Sequence, residues 1–249
     1  MHPSHPLALP EEFLLLAHRE SGKVRESARV AAGCAAAELG DLALRGRLLV
    51  RVGHASLLSS RLFWPEPTEI ELLAVESTGL AWADNVLAEL LQWIEAGPVS
   101  LNRWVRRHKG AFQYHRAALV GRGLLRPGPG TGLSRLLGRQ HHYPDQALRH
   151  RLIAELRATT TGRRVLDERL LFLSDLMAAV GLHDELGIGK WGFPHRMNPD
   201  RGIGVVTFRP EAMRDTSYAL ASAVPPASSG DGGLVGDSGG GDGGGGGGD

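Results

Sequence analysis

The feature that most constrains the fold is a series of apolar runs at helical spacing, each followed directly by a glycine. Apolar residues that recur every three or four positions form one face of an α-helix, and a glycine just past the last of them commonly ends the helix. Two further helical runs begin at Pro10 and after Asp145, which are residue types typical of helix starts. The chain is therefore predicted to be mostly α-helical, with helix ends at Gly46, Gly97, Gly123 and Gly181.

The expected core follows from the same runs. Cys34 is the single cysteine, so no intramolecular disulfide is possible, and its alanine-rich surroundings predict a buried thiol. Trp82, Trp93 and Trp104 lie in or near amphipathic helices and are predicted to pack inside. In the helix after Asp145, the predicted core face consists of Ala147, Leu148, Leu152, Ile153 and Leu156.

Composition divides the chain into three parts. We expect a single helical domain over residues 7–183, an irregular arm over 184–224 and a disordered tail over 225–249. The tail holds 13 of the 34 glycines and four aspartates without a basic residue. Such a segment has too little apolar surface to offset the entropy lost on ordering.

A glycine- and proline-containing stretch, RPGPGTGLSRLLGRQHHYP, interrupts the helices at residues 126–144. It contains no acidic residue, and it is flanked by GLL and HHY, each short enough to be a hairpin arm. The sequence therefore predicts a protruding basic β-hairpin. Its candidate membrane-contacting residues are Arg126, Arg135, Leu136, Leu137 and Arg139. A separate short strand is predicted for RLLVRV, directly after Gly46.

Charge is distributed unevenly along the chain. Residues 62–102 contain seven acidic residues and no Lys or Arg, whereas residues 103–164 contain 14 Lys or Arg against two acidic residues. The second stretch thus carries a net charge of +12, and like charges at this density repel unless a partner compensates them. An anionic partner is expected, and both nucleic acid and an anionic membrane fit.

Other classes of function lack their signatures. No run approaches the about 20 apolar residues that span a bilayer, and no signal peptide is visible, so membrane contact would be peripheral. Of the 11 histidines, His115, His141, His142 and His150 are candidates for a metal site, but they lack a metal-binding motif, and no catalytic constellation is present. We therefore expect a non-enzymatic protein without a cofactor or metal.

The order of several motifs resembles the Golgi phosphoprotein 3 family over roughly residues 7–183. These motifs are LALPEEFLLLA, LGDLALRGRLLV, VSLNRWVRR, ALVGRGLLR followed by a basic hairpin and HYPD, and RLLFLSDLMAAVGL. The resemblance implies a helical fold with a protruding hairpin. It also implies a peripheral protein that binds phosphatidylinositol 4-phosphate and the cytosolic tails of glycosyltransferases, as the eukaryotic members do at the Golgi.

The resemblance also assigns candidate head-group contacts. The family's Trp and first Arg fall on Glu26 and Ala35, and its Arg pair falls on Lys109 and Phe112, so only Lys109 keeps the charge. Nearby basic residues are the natural substitutes. The implied head-group set is Lys109, Arg106, Arg107 and Arg116.

These observations predict a cytoplasmic protein that docks on the cytosolic face of an anionic membrane. That membrane is the Golgi membrane in the eukaryotic family and the plasma membrane if the chain is bacterial. The hairpin arginines would steer docking and its leucines would insert. The acidic stretch would take basic tails of membrane proteins, as in an adaptor, and the hairpin also offers a contact through which copies of the chain would associate.

The alternative is a winged-helix-like nucleic-acid-binding protein. Two helices followed by a basic hairpin, from Ser100 to Tyr143, is also the order of a winged helix, and arginine suits phosphate. The leucines at the hairpin tip argue against it, because a wing that contacts nucleic acid favours polar residues.

Overall fold

The computed structural model describes residues 7–24, 27–51, 68–128, 141–188 and 211–226. Within these ranges the predicted mostly helical class is confirmed. The helices are α1 (Leu9–Ala17), α2 (Ser27–Leu44), α3 (Ala81–Glu95), α4 (Leu101–Arg107), α5 (Gly110–Gly121), α6 (Gln146–Thr160), α7 (Glu168–Ala179) and α8 (Glu211–Ser222). The strands are β1 (Leu48–Arg51), β2 (Glu69–Leu72), β3 (Leu125–Pro127) and β4 (His142–Pro144).

Helix α2 lies at the centre of the core and is buried on all sides over most of its length. It packs against α1, α5, α7 and α8. Its small residues allow this close approach, because a Cβ on Gly33 would lie only 2.5 Å from Phe13 Cζ. A Cβ on Gly40 would similarly lie 2.8 Å from a Leu9 methyl carbon. The alanine- and glycine-rich composition of α2 is thus what lets its neighbours converge on it.

The predicted helix ends are confirmed. The four glycines that follow the apolar runs all adopt a positive φ, a backbone region that glycine enters without a steric penalty. These are Gly46 (68°), Gly97 (138°), Gly123 (72°) and Gly181 (74°). Asp145 caps α6 as expected, since its carboxylate accepts the backbone N–H of Leu148 at 2.9 Å. Cys34 and Trp104 are fully buried, while Trp82 and Trp93 pack at the edge of the core.

The strands form two separate antiparallel pairs. Strand β1 is the one predicted after Gly46, and its partner β2 was not predicted. Strands β3 and β4 lie where the hairpin arms were expected, with Arg126 opposite Tyr143. The hairpin tip, with its predicted contacts Arg135, Leu136, Leu137 and Arg139, lies outside the described residues.

Two sequence predictions need correction. Residues 211–222 fall in the segment expected to be an irregular arm, yet they form α8, which packs on α7 and β1. On α6, Ala147 was expected in the core but is exposed, and Arg149 is buried instead. The expected disordered tail falls outside the described residues from position 227 onward. None of the described helices is long and apolar enough to cross a bilayer.

Candidate functional site

The hairpin base (residues 125–128 and 141–144) has one buried and one exposed face. Leu125, His142 and Pro144 are buried, which anchors the strands to the domain. Arg126 and Tyr143 lie directly opposite each other, so their side chains project from the same face of the pair. Both are exposed. The hairpin base therefore presents a cation and an amphipathic aromatic ring side by side to solvent.

Gly128 provides space for the Tyr143 ring. A Cβ at position 128 would lie 2.6 Å from Tyr143 Cε2, and the backbone N–H of Gly128 donates to the carbonyl of His141 at 2.8 Å. Any side chain at position 128 would push the ring away. The glycine thus leaves the space that the exposed tyrosine ring occupies.

The turn after α1 holds the other side of the hairpin base. The backbone N–H of His142 donates to the carbonyl oxygen of Gly22 at 2.9 Å. Gly22 has a φ of 77°, and a Cβ there would lie 3.1 Å from His141 Cβ. The turn itself is closed by a hydrogen bond from Gly22 N–H to the carbonyl of Arg19 at 2.8 Å. The α1–α2 connection and the hairpin base therefore form one continuous surface.

A buried histidine lies beneath this surface. His18 is 1% exposed, and its Nδ1 lies 2.6 Å from the carbonyl oxygen of Leu14, to which it donates. Its ring stacks on Phe112 and meets His142 edge-on, and within the part of the chain that the structure describes Nε2 has no hydrogen-bond partner. Burial, aided by the positive charges of nearby Arg116 and Arg149, lowers the pKa of His18 to about 4, although the hydrogen bond to Leu14 opposes the shift. At neutral pH the ring is uncharged, so the positive potential here comes from the arginines.

The predicted head-group residues lie in different surroundings on α4 and α5. Arg106 and Lys109 are exposed, at the end of α4 and just before α5. The Arg107 guanidinium lies over the Trp93 ring at 5.5 Å. The Arg116 guanidinium lies over Phe112 at 5.1 Å, and burial lowers its pKa. Arg107 is thus held against α3, whereas Arg116 is held against the ring that stacks on His18.

The positions that correspond to the family's remaining contacts carry no positive charge here. Ala35 is fully buried in α2, and Phe112 is buried beneath Arg116. Glu26 lies outside the described residues. Lys109, the residue that caps α5, lies seven positions or two helical turns before Arg116, so the two lie on one side of the helix with Phe112 between them.

A basic groove of about 780 Å³ opens beside the hairpin base, and sequence reasoning missed it. We call it the arginine groove after Arg19, Arg149, Arg157 and Arg163, which line it together with Glu20, His150 and Glu185. The sequence does contain one indication that Arg149 is buried, because Arg149 precedes the core residues Leu152 and Ile153 by three and four positions. That spacing places the arginine on the buried face of α6.

The acidic stretch is partly neutralised within the fold. Arg47 lies 2.8 Å from Glu76, and Arg51 forms a two-point ion pair with Glu71. Hydrogen bonds from Ser77 and Thr78 lower the pKa of Asp84. His108 lies 2.9 Å from Glu89. Fewer carboxylates are therefore available to an external basic partner than the seven acidic residues in the sequence suggest.

Architecture and sequence comparison agree on the class of protein. The structure is a helical domain around a buried central helix, with a basic hairpin next to an arginine-lined groove. The model of the Golgi phosphoprotein 3 (GPP34) family matches residues 9–223, and the chain belongs to that family. The match includes α8, and it extends beyond the resemblance seen in the sequence. No curated protein matches the chain.

Proposed function

We propose that this protein docks reversibly on anionic phospholipid membranes through the β3–β4 hairpin. The observation that carries the proposal is the exposed pair of Arg126 and Tyr143 on one face of the hairpin base. Arginine is attracted to an anionic leaflet, and tyrosine favours the membrane interface, where its ring is buried and its hydroxyl stays hydrated. Membership of the family supports the same assignment.

The hairpin sequence supplies the rest of the contact. Each arginine near an anionic leaflet contributes about 1 kcal/mol, and burying a leucine side chain fully contributes about 1.5–3 kcal/mol. Shallow insertion of Leu136 and Leu137 yields part of that value, and ordering a loop costs about 1–2 kcal/mol per residue. Binding by one hairpin is therefore weak and reversible, and stable residence needs a second contact such as a bound head group.

The finer assignment is a phosphoinositide, with phosphatidylinositol 4-phosphate as the lipid that the family resemblance implies. Lys109 and Arg116, which share a face of α5, are the leading head-group contacts, with Arg106 and Arg107 on the adjacent turn of α4. The proposed location is the cytosolic face of a membrane. Basic tails of membrane proteins are the proposed adaptor clients, and association of copies through the hairpin would strengthen binding by multivalency.

Co-sedimentation with liposomes tests the proposal. Neutral, phosphatidylserine-containing and phosphatidylinositol 4-phosphate-containing liposomes are compared at two salt concentrations. Arg126→Gln is expected to weaken binding about fivefold, the equivalent of about 1 kcal/mol. The matched control Arg51→Gln removes one exposed charge from β1 and is expected to bind as the wild type does.

The apolar part of the contact has its own pair of variants. Leu136→Glu at the hairpin tip is expected to abolish sedimentation, whereas Leu73→Glu, which alters a leucine that is 51% exposed after β2, leaves it unchanged. Absence of wild-type binding to anionic liposomes at low salt would overturn the proposal. Because α4, α5 and the β3–β4 hairpin do follow one another as in a winged helix, duplex DNA is then the next ligand to test.

A further inference from the structure

We propose that the arginine groove is a binding site for a phosphomonoester group, with Arg149 at its floor. This site is separate from the hairpin residues and from the four predicted head-group contacts. The groove lies between α6, the turn at residues 19–21 and the segment at residues 185–186. Its volume of about 780 Å³ falls in the range of small-molecule sites.

Arg149 is buried without sufficient compensation for its charge. Its side chain is 8% exposed, the Glu20 carboxylate oxygen lies 3.7 Å from Nη1, and Glu185 adds a further attraction. The Glu20 side chain is itself 66% exposed, so water screens much of this attraction. The Nε atom of Arg149 is buried and has no hydrogen-bond partner among the described residues. A buried guanidinium in this state is destabilising unless a ligand supplies the missing acceptors.

Two of the other arginines of the groove, Arg19 and Arg157, are already held in place. Arg19 and Glu185 form an ion pair with Nη2 and Oε2 2.7 Å apart. Arg157 donates from Nε to the carbonyl oxygen of Leu186 at 2.9 Å, and its guanidinium packs against the backbone of Gly187, where a Cβ would lie 2.7 Å from Nη2. A site with fixed guanidinium groups loses little side-chain entropy when an anion binds.

The positive charge of the groove balances the negative charge of a dianion. Arg19 is compensated by Glu185, and Arg149 lies near Glu20. Arg157 donates to a neutral carbonyl, and Arg163 is exposed; neither forms an ion pair within the part of the chain that the structure describes. With Glu20 and Glu185 set against the four arginines, the lining has a net charge of +2, which balances the two negative charges of a phosphomonoester at neutral pH and above. The planar fork of arginine suits phosphate oxygens, and Ile153 and Ala154 offer an apolar wall to the rest of the ligand.

Two sources could supply this group, a lipid head group or a soluble phosphorylated molecule. The groove is continuous with the hairpin base, because Gly22 follows its wall residue Ser21 and accepts a hydrogen bond from His142. Helix α6 also begins directly after β4. A lipid source therefore rests on the proposed membrane function, whereas a soluble source does not.

The test measures the melting temperature of the full chain while phosphate replaces chloride at constant ionic strength and pH 8. We expect a saturable rise for the wild type, at least tenfold weaker apparent affinity in Arg149→Met and intermediate weakening in Arg163→Gln. Arg151→Gln, on the same helix but outside the groove lining, should respond as the wild type does. In chloride alone, Arg149→Met should be at least as stable as the wild type, since a buried charge has been replaced by an apolar chain.

Vesicles then identify the source. Phosphatidylcholine vesicles with phosphatidic acid, whose head group is a phosphomonoester, are compared with phosphatidylserine vesicles of equal surface charge. If Arg163→Gln weakens binding to phosphatidic acid vesicles but not to phosphatidylserine vesicles, the ligand is a lipid head group. If it weakens binding to neither kind of vesicle while phosphate still raises the melting temperature of the wild type, the ligand is soluble. Either result supports the site.

Two results overturn it. The first is a wild-type melting temperature that phosphate leaves unchanged, and the second is an Arg149→Met variant that phosphate protects as well as the wild type. The hairpin variant Leu136→Glu separates the two proposals. If this variant no longer binds vesicles but is still protected by phosphate, the hairpin and the groove act independently. If it binds vesicles as the wild type does, the proposed role of the hairpin is refuted and the groove proposal is not affected.

Discussion

The backbone N–H of His142 lies 2.9 Å from the carbonyl oxygen of Gly22, across 120 residues of sequence. This bond joins the turn after α1 to the first residue of β4. Because residues of the turn also line the arginine groove, one hydrogen bond connects both proposed binding surfaces. The turn can approach this closely only because position 22 has no side chain.

Gly22→Ala is therefore expected to detach the hairpin base from the turn. An alanine at a φ of 77° costs about 1–2 kcal/mol, and its Cβ would also press on His141 Cβ at 3.1 Å. Gly46→Ala is the matched control, since it has a φ of 68° but no atom within 4 Å of the added Cβ. Denaturant unfolding should show a larger loss for Gly22→Ala, and hydrogen exchange should show faster exchange at the His142 amide. Equal losses in both variants would mean that the contact is unimportant.

A second prediction concerns the central helix. Gly33→Ala gains about 1 kcal/mol of helix propensity, but the new methyl group would lie 2.5 Å from Phe13 Cζ and 3.1 Å from a Val180 methyl carbon. Overpacking of this kind costs about 1–3 kcal/mol, so we expect net destabilisation. Gly121→Ala, at the end of α5 with open space around the added Cβ, should be neutral or stabilising. A stabilised Gly33→Ala protein would show that α1 and α7 can move away from α2.

The glycines also show how far the sequence predicts the fold. Helix ends at Gly46, Gly97, Gly123 and Gly181 are predictable because they depend on local backbone preference. Strand β2 is not, because four residues offer little alternation and its pairing depends on contacts far away in sequence, including a bond from Ile70 N–H to the Val99 carbonyl.

The candidate site also has one part that the sequence predicts and one part that it does not. The hairpin arms and the exposed Arg126 follow from local composition, since glycine, proline and charge mark a protruding turn. The spacing of Arg149 from Leu152 and Ile153 is the one sequence signal for its burial, and the groove itself does not follow from it, because a charged residue on a helix is ordinarily expected to face water. That Arg149 is buried depends on three segments, at residues 19–21, 149–163 and 185–186, which only the folded chain brings together.

A third prediction tests the adaptor part of the proposed function. Glu71 and Glu76 already pair with arginines, whereas Glu69 is exposed and forms no ion pair within the described ranges. Glu69→Lys should weaken binding of a labelled arginine-rich peptide about twofold to fivefold, because one screened charge contributes less than about 1 kcal/mol. Fluorescence anisotropy measures this, and liposome binding should be unchanged. Glu211→Lys, on α8, is the control; an equal loss there would mean nonspecific attraction.

The last prediction concerns the effect of pH on stability, to which Glu12 and His18 contribute in opposite directions. Burial raises the pKa of Glu12 from 4.5 to about 7, although the ion pair with Arg169 opposes the rise. Since the folded state holds this proton more tightly, the contribution of Glu12 to stability falls as pH rises from about 4.5 to 7. Glu12→Gln keeps an acceptor for Arg169 and removes this loss.

The contribution of His18 to stability changes with pH in the opposite direction. Burial lowers its pKa from 6.5 to about 4, so its stabilising contribution is complete above about pH 6.5 and is lost as pH falls towards 4. His18→Asn keeps a donor to the Leu14 carbonyl and removes this loss. Each effect amounts to about 2 kcal/mol between pH 5 and 7, so they nearly cancel in the wild type. Urea unfolding over this range should show Glu12→Gln gaining stability with pH relative to the wild type and His18→Asn losing it. Parallel pH profiles for all three proteins would contradict the assigned shifts.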